Sequence, residues 1–151
     1  MQRTPDLVYG TSWRRHGDRR QRAARIARLL RPAAHVLGGT VSTELTVPYR
    51  QQWYRPDVGV VLGSELPLDG VLTRAPSLIV TLGGPLPAEA WLEAGARVVW
   101  AVTNDGVCQL SRTQRRVLRP DQWLEHPGEL ALRLPAEHLA GEPVGRTRLR
   151  L

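Results

Sequence analysis

The sequence predicts a single α/β domain, in which a central mixed β-sheet is flanked by an N-terminal helix and a short second helix. Three observations lead to this fold class. The chain has 151 residues, 42% of them hydrophobic, which suits one domain with one core. Short apolar runs bounded by Gly, Pro and Asn-Asp-Gly turn signals are typical of strands. An apolar stripe at helical spacing precedes these runs.

The first predicted element is an amphipathic helix over residues 18–31. Asp18 belongs to the residue types that cap helix N-termini, and Pro32 is expected to end the helix because its ring clashes with the preceding turn. The apolar face consists of four residues at helical spacing: Ala23, Ile26, Ala27 and Leu30. The helix therefore has a short apolar stripe and an arginine-rich outer surface.

The residues that follow are predicted to supply the first strands of the sheet. Residues 41–48 alternate between apolar and polar side chains, as in a half-buried strand. Residues 49–56 are expected to form a loop or a strand edge. Residues 57–62 and 77–82 are apolar runs, and both are predicted to be buried strands.

A short helix and a hairpin are predicted next. Residues 87–94 begin with a proline and are followed by a glycine, which favours a short helix between them. Residues 97–103 are a candidate central strand. The Asn-Asp-Gly sequence at 104–106 is a strong hairpin signal, and residues 107–111 supply the returning strand.

The C-terminal third is predicted to hold shorter elements. Residues 115–118 favour an edge strand, and residues 119–128 are expected to form a loop that contains Trp123. Residues 130–134 are predicted to form a last short strand, and residues 135–139 a last helical turn.

The positive charge is concentrated at the two ends of the chain. The net charge is +7, and residues 1–31 alone carry nine arginines against two acids. Residues 32–145 carry nine arginines against twelve acids, and the last six residues carry three arginines. A basic arm can attract phosphate backbones or acidic protein surfaces. The candidate nucleic-acid-binding residues are the arginines around the first helix: Arg14, Arg15, Arg19, Arg20, Arg22, Arg25 and Arg28.

These patterns predict three parts along the chain. Residues 1–17 are expected to be an irregular basic arm, residues 18–140 the folded domain, and residues 141–151 a flexible basic tail. No apolar run approaches the ~20 residues of a membrane span, and no apolar segment follows the N-terminal charges as in a signal peptide. We therefore expect a cytoplasmic protein without membrane contact.

Several kinds of chemistry are excluded or disfavoured by composition. All 21 basic residues are arginine, so Schiff-base chemistry and a phosphate-binding-loop lysine are excluded. Cys108 is the only cysteine, which excludes an intramolecular disulfide and a cysteine-based zinc site. It is expected to fill core space rather than act as a nucleophile. The four histidines are scattered without metal-ligand spacing, and we expect them on loops or at the surface.

Four stretches of the sequence, taken in order and spacing, resemble a known family. Residues 55–61 contain a Pro-Asp pair before an apolar strand, and residues 75–85 form a strand closed by Gly-Gly-Pro. Residues 91–102 combine an aromatic residue, a glycine and a Trp-bearing strand, and residues 128–134 form a closing Gly-x-Leu strand. Over residues 16–140 the chain resembles the Uma family of predicted restriction endonucleases, a branch of the PD-(D/E)XK restriction-endonuclease-like superfamily.

The resemblance implies a restriction-endonuclease-like fold and a site for metal-assisted phosphodiester hydrolysis. In such a site two acidic side chains hold Mg²⁺ and a lysine assists the attacking water. Here Asp57 stands at the first acidic position, whereas Thr81 stands at the position of the second acid. The chain has no lysine, and the segment that follows Pro85 is shorter than in the family. We therefore interpret Asp57 as a remnant of an inactive site, and expect no metal and no cofactor.

A relocated site is the alternative. Glu44 or Glu65 would join Asp57 around Mg²⁺, and Arg74 or Arg97 would supply positive charge. In that case the chain would be a weak metal-dependent DNA endonuclease.

Two binding functions compete with residual nuclease activity. The preferred hypothesis is a catalytically inactive domain that acts as a protein-interaction or assembly module, with self-association through the hairpin at 102–111 and the edge strand at 115–118. The other is a non-catalytic nucleic-acid-binding module that uses the arginine-rich helix. Trp53, Tyr54 and Arg55 form an aromatic and basic patch that suits base stacking, partner binding or core packing equally well.

Overall fold

A computed structural model describes residues 13–63 and 72–140, with side chains described from residue 18 onward. Its centre is a six-stranded mixed sheet with helices on its two faces, which confirms the predicted α/β class. In chain order the elements are α1 (Trp13–Val36), β1 (Thr40–Ser42), β2 (Val47–Tyr49), β3 (Gln52–Tyr54), β4 (Val58–Val61), β5 (Leu78–Thr81), α2 (Ala88–Glu93), β6 (Val98–Thr103), β7 (Gly106–Leu110), β8 (Arg115–Leu118), β9 (Trp123–Glu125), β10 (Arg133–Pro135) and α3 (Glu137–Ala140).

The strands of the main sheet lie in the order β1-β4-β5-β6-β7-β8. Strands β5 and β6 are parallel and are joined through α2, whereas the other neighbours are antiparallel. The predicted strands at 57–62, 77–82 and 97–103 and the hairpin at 104–106 are confirmed. Strand β8 lies at one edge of the sheet, as predicted for residues 115–118.

Helix α1 is longer at both ends than the sequence predicted. It begins at Trp13 rather than Asp18, and Pro32 lies inside it rather than ending it. A proline inside a helix costs about 3 kcal/mol. Pro32 is exposed, and continuing the helix buries Ala34 and partly buries Leu37 against the core, which offsets that cost. The helix ends at Val36, and the turn that follows contains Gly38, whose φ of +73° favours glycine.

The predicted strand over residues 41–48 is wrong in its middle. Residues 43–46 leave the main sheet, and the Ser42 hydroxyl accepts a hydrogen bond from the Glu44 backbone N–H at this bend. Strand β2 then pairs with β3 in a separate hairpin, whose turn residues Arg50 and Gln51 both have positive φ. The alternating pattern predicted an extended backbone, but it carried no signal for the change of partner.

The β2–β3 hairpin is tied to α2 by polar contacts at the surface. The Tyr49 hydroxyl donates to the Glu93 carboxylate, and Arg50 forms an ion pair with the same carboxylate at 3.1 Å. The hydrogen bond from Tyr49 lowers the pKa of Glu93, and the Arg50 charge acts in the same direction. The same hydrogen bond raises the pKa of Tyr49.

The C-terminal third differs from prediction in one element. Residues 119–128 were expected to be a loop, but they contain β9, which pairs antiparallel with β10. The strand predicted at 130–134 is found as β10, which begins three residues later and ends one residue later, and the predicted last helical turn is α3. The β9–β10 pairing buries Leu124 and Leu134 against the main sheet, which explains why two short segments form strands.

The hydrophobic core lies on both faces of the sheet. Helices α1 and α3 pack with β9–β10 on one face, around the fully buried Trp100. Helix α2 and the β2–β3 hairpin cover the other face, where Trp91 is buried. Cys108 is fully buried in this second cluster, as expected for a residue that fills core space.

The described residues test only part of the predicted organisation. Most of the predicted basic arm and the whole predicted tail at 141–151 lie outside them, so the three-part division stays a prediction. Among the described residues, no helix combines the length and the apolar character needed to cross a lipid bilayer.

Candidate functional site

The register of the sheet brings the predicted site positions together. Val58 of β4 pairs with Val80 of the antiparallel strand β5. Asp57 precedes Val58 and Thr81 follows Val80, so the two side chains come from adjacent strands at one end of the sheet. Thr81 is buried, and the Asp57 side chain keeps 10% of its exposure.

The carboxylate of Asp57 is engaged by an arginine of the N-terminal helix. The Nε atom of Arg19 donates to Oδ1 of Asp57 at 2.7 Å, and Nη2 donates to Oδ2 at 3.1 Å. The backbone N–H of Leu82 also donates to Oδ2, at 2.7 Å. A bidentate guanidinium–carboxylate pair is among the strongest polar contacts in proteins, and here it links α1 to the start of β4.

The guanidinium group of Arg19 also lies close to Gly84 and Thr81. The nearest atom to the position that a Cβ on Gly84 would take is Nη2 of Arg19, at 2.9 Å. The hydroxyl oxygen of Thr81 lies 3.5 Å from that position. Because Gly84 has no side chain, the Arg19 guanidinium group fits beside Asp57 and Thr81.

This arrangement does not fit a hard divalent cation. Magnesium sites in proteins are built from carboxylates and other oxygen ligands, and they need negative charge. Asp57 already has a cationic partner that cannot lose its proton, and Thr81 brings no charge. The described residues contain no group of three or more His, Cys, Asp or Glu side chains that could hold a metal ion.

The described residues of the alternative, relocated site lie in different parts of the structure. Glu44 is exposed and lies 3.9 Å from Arg55 in a surface ion pair. Glu65 lies outside the described residues. Arg74 and Arg97 line a cavity near the start of β6, at the end of the sheet opposite to Asp57.

The seven arginines predicted to bind nucleic acid have different environments. Arg14 and Arg15 lie in α1, but their side chains are outside the described ones. Arg19 pairs with Asp57, and Arg22 donates to the carbonyl oxygen of Leu139. The remaining three have exposed side chains on the helix: Arg20, Arg25 and Arg28.

The aromatic and basic patch at Trp53 is partly exposed. Trp53 is 56% exposed on β3, so it is not packed in the core. Tyr54 is partly buried against the cluster beneath the hairpin, and Arg55 lies near Glu44. Only Trp53 therefore presents a large apolar surface to solvent at this place.

His126 lies in a loop, as expected, but it is buried rather than at the surface. It is 1% exposed, and its Nε2 atom lies 2.9 Å from the Ser77 hydroxyl. Its Nδ1 atom accepts hydrogen bonds from the backbone N–H groups of Gly128 and Glu129. The histidine organises a buried turn, and an isolated histidine beside Pro-Gly carries no pattern that would have revealed it.

Comparisons with known proteins agree with this topology. A crystal structure from Anabaena variabilis ATCC 29413 matches with a TM-score of 0.63 and 16% sequence identity, over 78% of this chain and 77% of that chain. That protein is described as a "putative nuclease" of DUF820, which is the Uma family named above. The fold is restriction-endonuclease-like. No family model and no curated protein sequence matches this chain.

The role of Arg19 was missed, although the sequence contained a signal for it. Arg19 precedes Ala23 by four residues and Ile26 by seven, so it falls on the apolar face of α1. An arginine on the buried face of a helix needs an anionic partner. In this structure, the carboxylate of Asp57 is that partner.

Proposed function

We propose that this chain is a restriction-endonuclease-like domain that does not hydrolyse DNA and acts as a protein-interaction or assembly module. The observation that carries the first part is the ion pair between Arg19 and Asp57, because Asp57 stands where the resemblance implies a metal-binding acid. In this proposal, Thr81 takes the position of the second acid that the fold would need.

Physical chemistry supports the loss of hydrolysis. Metal-assisted phosphodiester cleavage needs a cation that polarises the phosphate and activates water. A cation at Asp57 would have to displace two hydrogen bonds to charged groups, each worth about 1.5–3 kcal/mol. It would gain no second carboxylate from Thr81 in return.

A plasmid-nicking assay tests this part of the proposal. Purified protein is incubated with supercoiled plasmid and Mg²⁺ or Mn²⁺, beside an Asp57→Ala variant. We expect no metal-dependent nicking by either protein. Nicking by the wild type that is absent from the variant would contradict the proposal.

The open edge of the main sheet supports the assembly role. Strand β8 is paired only with β7 within the described residues, so its outer backbone groups are available to another strand. Val117 on this strand is 55% exposed. We propose that a second copy of the chain pairs here, since two identical edge strands can meet around a two-fold axis. The mass measured by light scattering at high protein concentration tests self-association.

Nucleic-acid binding is the second candidate, and it is favoured by the exposed arginines of α1. Arg20, Arg25 and Arg28 face away from the buried stripe, and none forms an ion pair with a described residue. Cations with no acidic partner can neutralise phosphates and release counterions.

The salt dependence of DNA binding tests this candidate. Replacing Arg20, Arg25 and Arg28 with Gln is expected to make the slope of log K against log salt shallower by ~0.9 per arginine. Replacing Arg50, Arg119 and Arg133 removes the same charge elsewhere and is the matched control. Retardation of DNA that does not change with salt, or equal effects of the two triple variants, would argue against this candidate.

A further inference from the structure

The cavity lined by Arg74 and Arg97 lies at the end of the main sheet opposite to Asp57. Its volume is about 580 Å³, within the range of small-molecule sites. Strands β5 and β6 run parallel, and the cavity contains Val98 at the start of β6. Asp57 lies beside Thr81 at the other end of β5, so the two sites are separated by the length of the strand.

Three arginines from three different segments line this cavity. Arg74 precedes β5, Arg97 precedes β6, and Arg112 lies in the turn between β7 and β8. The other lining residues include Ser111, Thr113 and Gln114, which add neutral hydrogen-bonding groups, but no Asp or Glu. The walls therefore concentrate positive charge and offer both charged and neutral donors.

None of the three guanidinium groups has an acidic partner among the described residues. The ion pairs between described residues involve five other arginines: Arg19, Arg50, Arg55, Arg115 and Arg119. Neighbouring arginines repel one another, and an anion bound between them removes this repulsion.

Two glycines of the cavity wall lie next to two of these arginines. The position of a Cβ on Gly95 would lie 3.0 Å from the Cβ of Arg74, and that of a Cβ on Gly128 would lie 3.8 Å from Nη1 of Arg97. Both glycines line the cavity. A Cβ at Gly95 would crowd the Arg74 backbone segment, and the φ of +122° at this position also favours glycine.

The floor of the cavity is fixed by the buried His126. Its Nδ1 atom accepts two backbone hydrogen bonds, which assigns the proton of a neutral ring to Nε2. That proton points to the Ser77 hydroxyl at 2.9 Å. This network orders the turn that carries Gly128 beside Arg97, so part of the wall is organised before any ligand binds.

We propose that this cavity binds a phosphorylated small molecule, whose phosphate or pyrophosphate group is held by Arg74, Arg97 and Arg112. Guanidinium groups bind phosphate oxygens in bidentate geometry, which a cluster of three can do from several sides. A terminal phosphate of an oligonucleotide offers the same chemistry from another source. This proposal does not depend on whether the Asp57 site hydrolyses DNA, so a failure to bind phosphate would not bear on the proposed loss of hydrolysis.

Calorimetric titration with pyrophosphate and with ATP, at constant ionic strength, tests the proposal. We expect saturable binding that Arg97→Gln and Arg112→Gln each weaken about tenfold, because a hydrogen bond to a charged group is lost. Arg31→Gln removes the same charge from an exposed position of α1 and is expected to leave the affinity unchanged. Circular dichroism of each variant checks that the exposed substitutions have not altered the fold.

Oligonucleotide competition then identifies the source of the phosphate. Competition by a 5′-phosphorylated oligonucleotide, and not by its unphosphorylated form, supports recognition of a terminal phosphate. Failure of both to compete with bound ATP supports a free small molecule. The proposal is overturned by an absence of saturable binding, by equal weakening in Arg31→Gln, or by equal competition from the unphosphorylated oligonucleotide.

Discussion

The Arg19–Asp57 pair is the contact on which the proposed loss of hydrolysis depends. The sequence placed Asp57 correctly before a buried strand, and the structure places it beside Thr81. Arg19 was predicted to be one of several surface arginines of α1, on the basis of the number of positive charges in this segment. Its position on the apolar face of the helix indicates a buried role instead.

The Arg19–Asp57 pair is also expected to stabilise the fold. Breaking a buried pair costs about 3–5 kcal/mol, whereas an exposed pair is worth about 0–1 kcal/mol. The two side chains are 27% and 10% exposed, which places the pair between these limits. We expect Arg19→Ala to lower the free energy of unfolding in urea by about 2 kcal/mol.

Arg20→Ala is the matched control for this prediction. Arg20 is the next residue of the same helix and is exposed, so its loss is expected to change the free energy of unfolding by less than ~0.5 kcal/mol. If the two variants unfolded at the same urea concentration, the pair would be no more than a surface contact.

The hydrophobic pattern of the sequence predicted where strands lie, but it did not predict which strands pair with each other. The buried strands β4, β5 and β6 were predicted because their apolar runs are continuous, as expected for strands covered on both faces. The split of residues 41–48 between β1 and β2 depends on a tertiary choice of partner, which a local pattern does not contain. The continuation of α1 through Pro32 likewise depends on burial beyond the proline.

The edge strand β8 gives a testable prediction. Replacing the exposed Val117 with Lys places a charge on the edge and is expected to abolish dimers that form through it. Val36→Lys adds the same charge at the end of α1, where Val36 is 79% exposed, and is expected to leave the dimer intact. Light scattering at matched concentrations measures both, and a wild-type protein that stays monomeric throughout would remove self-association from the proposed function.

The whole molecule has a restriction-endonuclease-like sheet with different charge arrangements at its two ends. At one end, the Asp57 carboxylate beside Thr81 is paired with Arg19. At the other, three arginines without acidic partners surround a cavity, within the residues that the structure describes. The sequence revealed the first end through a resemblance. It could not reveal the second, because Arg74, Arg97 and Arg112 are far apart in the chain and only the sheet topology brings them together.

Isothermal titration with Mn²⁺ tests whether Asp57 can hold a metal ion. We expect no Mn²⁺ binding by the wild-type protein, because the guanidinium of Arg19 holds the Asp57 carboxylate. We expect binding by the double variant Arg19→Ala, Thr81→Glu, which removes the cation and supplies a second carboxylate. Mn²⁺ binding by the wild type that disappears in Asp57→Ala would show that Asp57 still holds a metal ion.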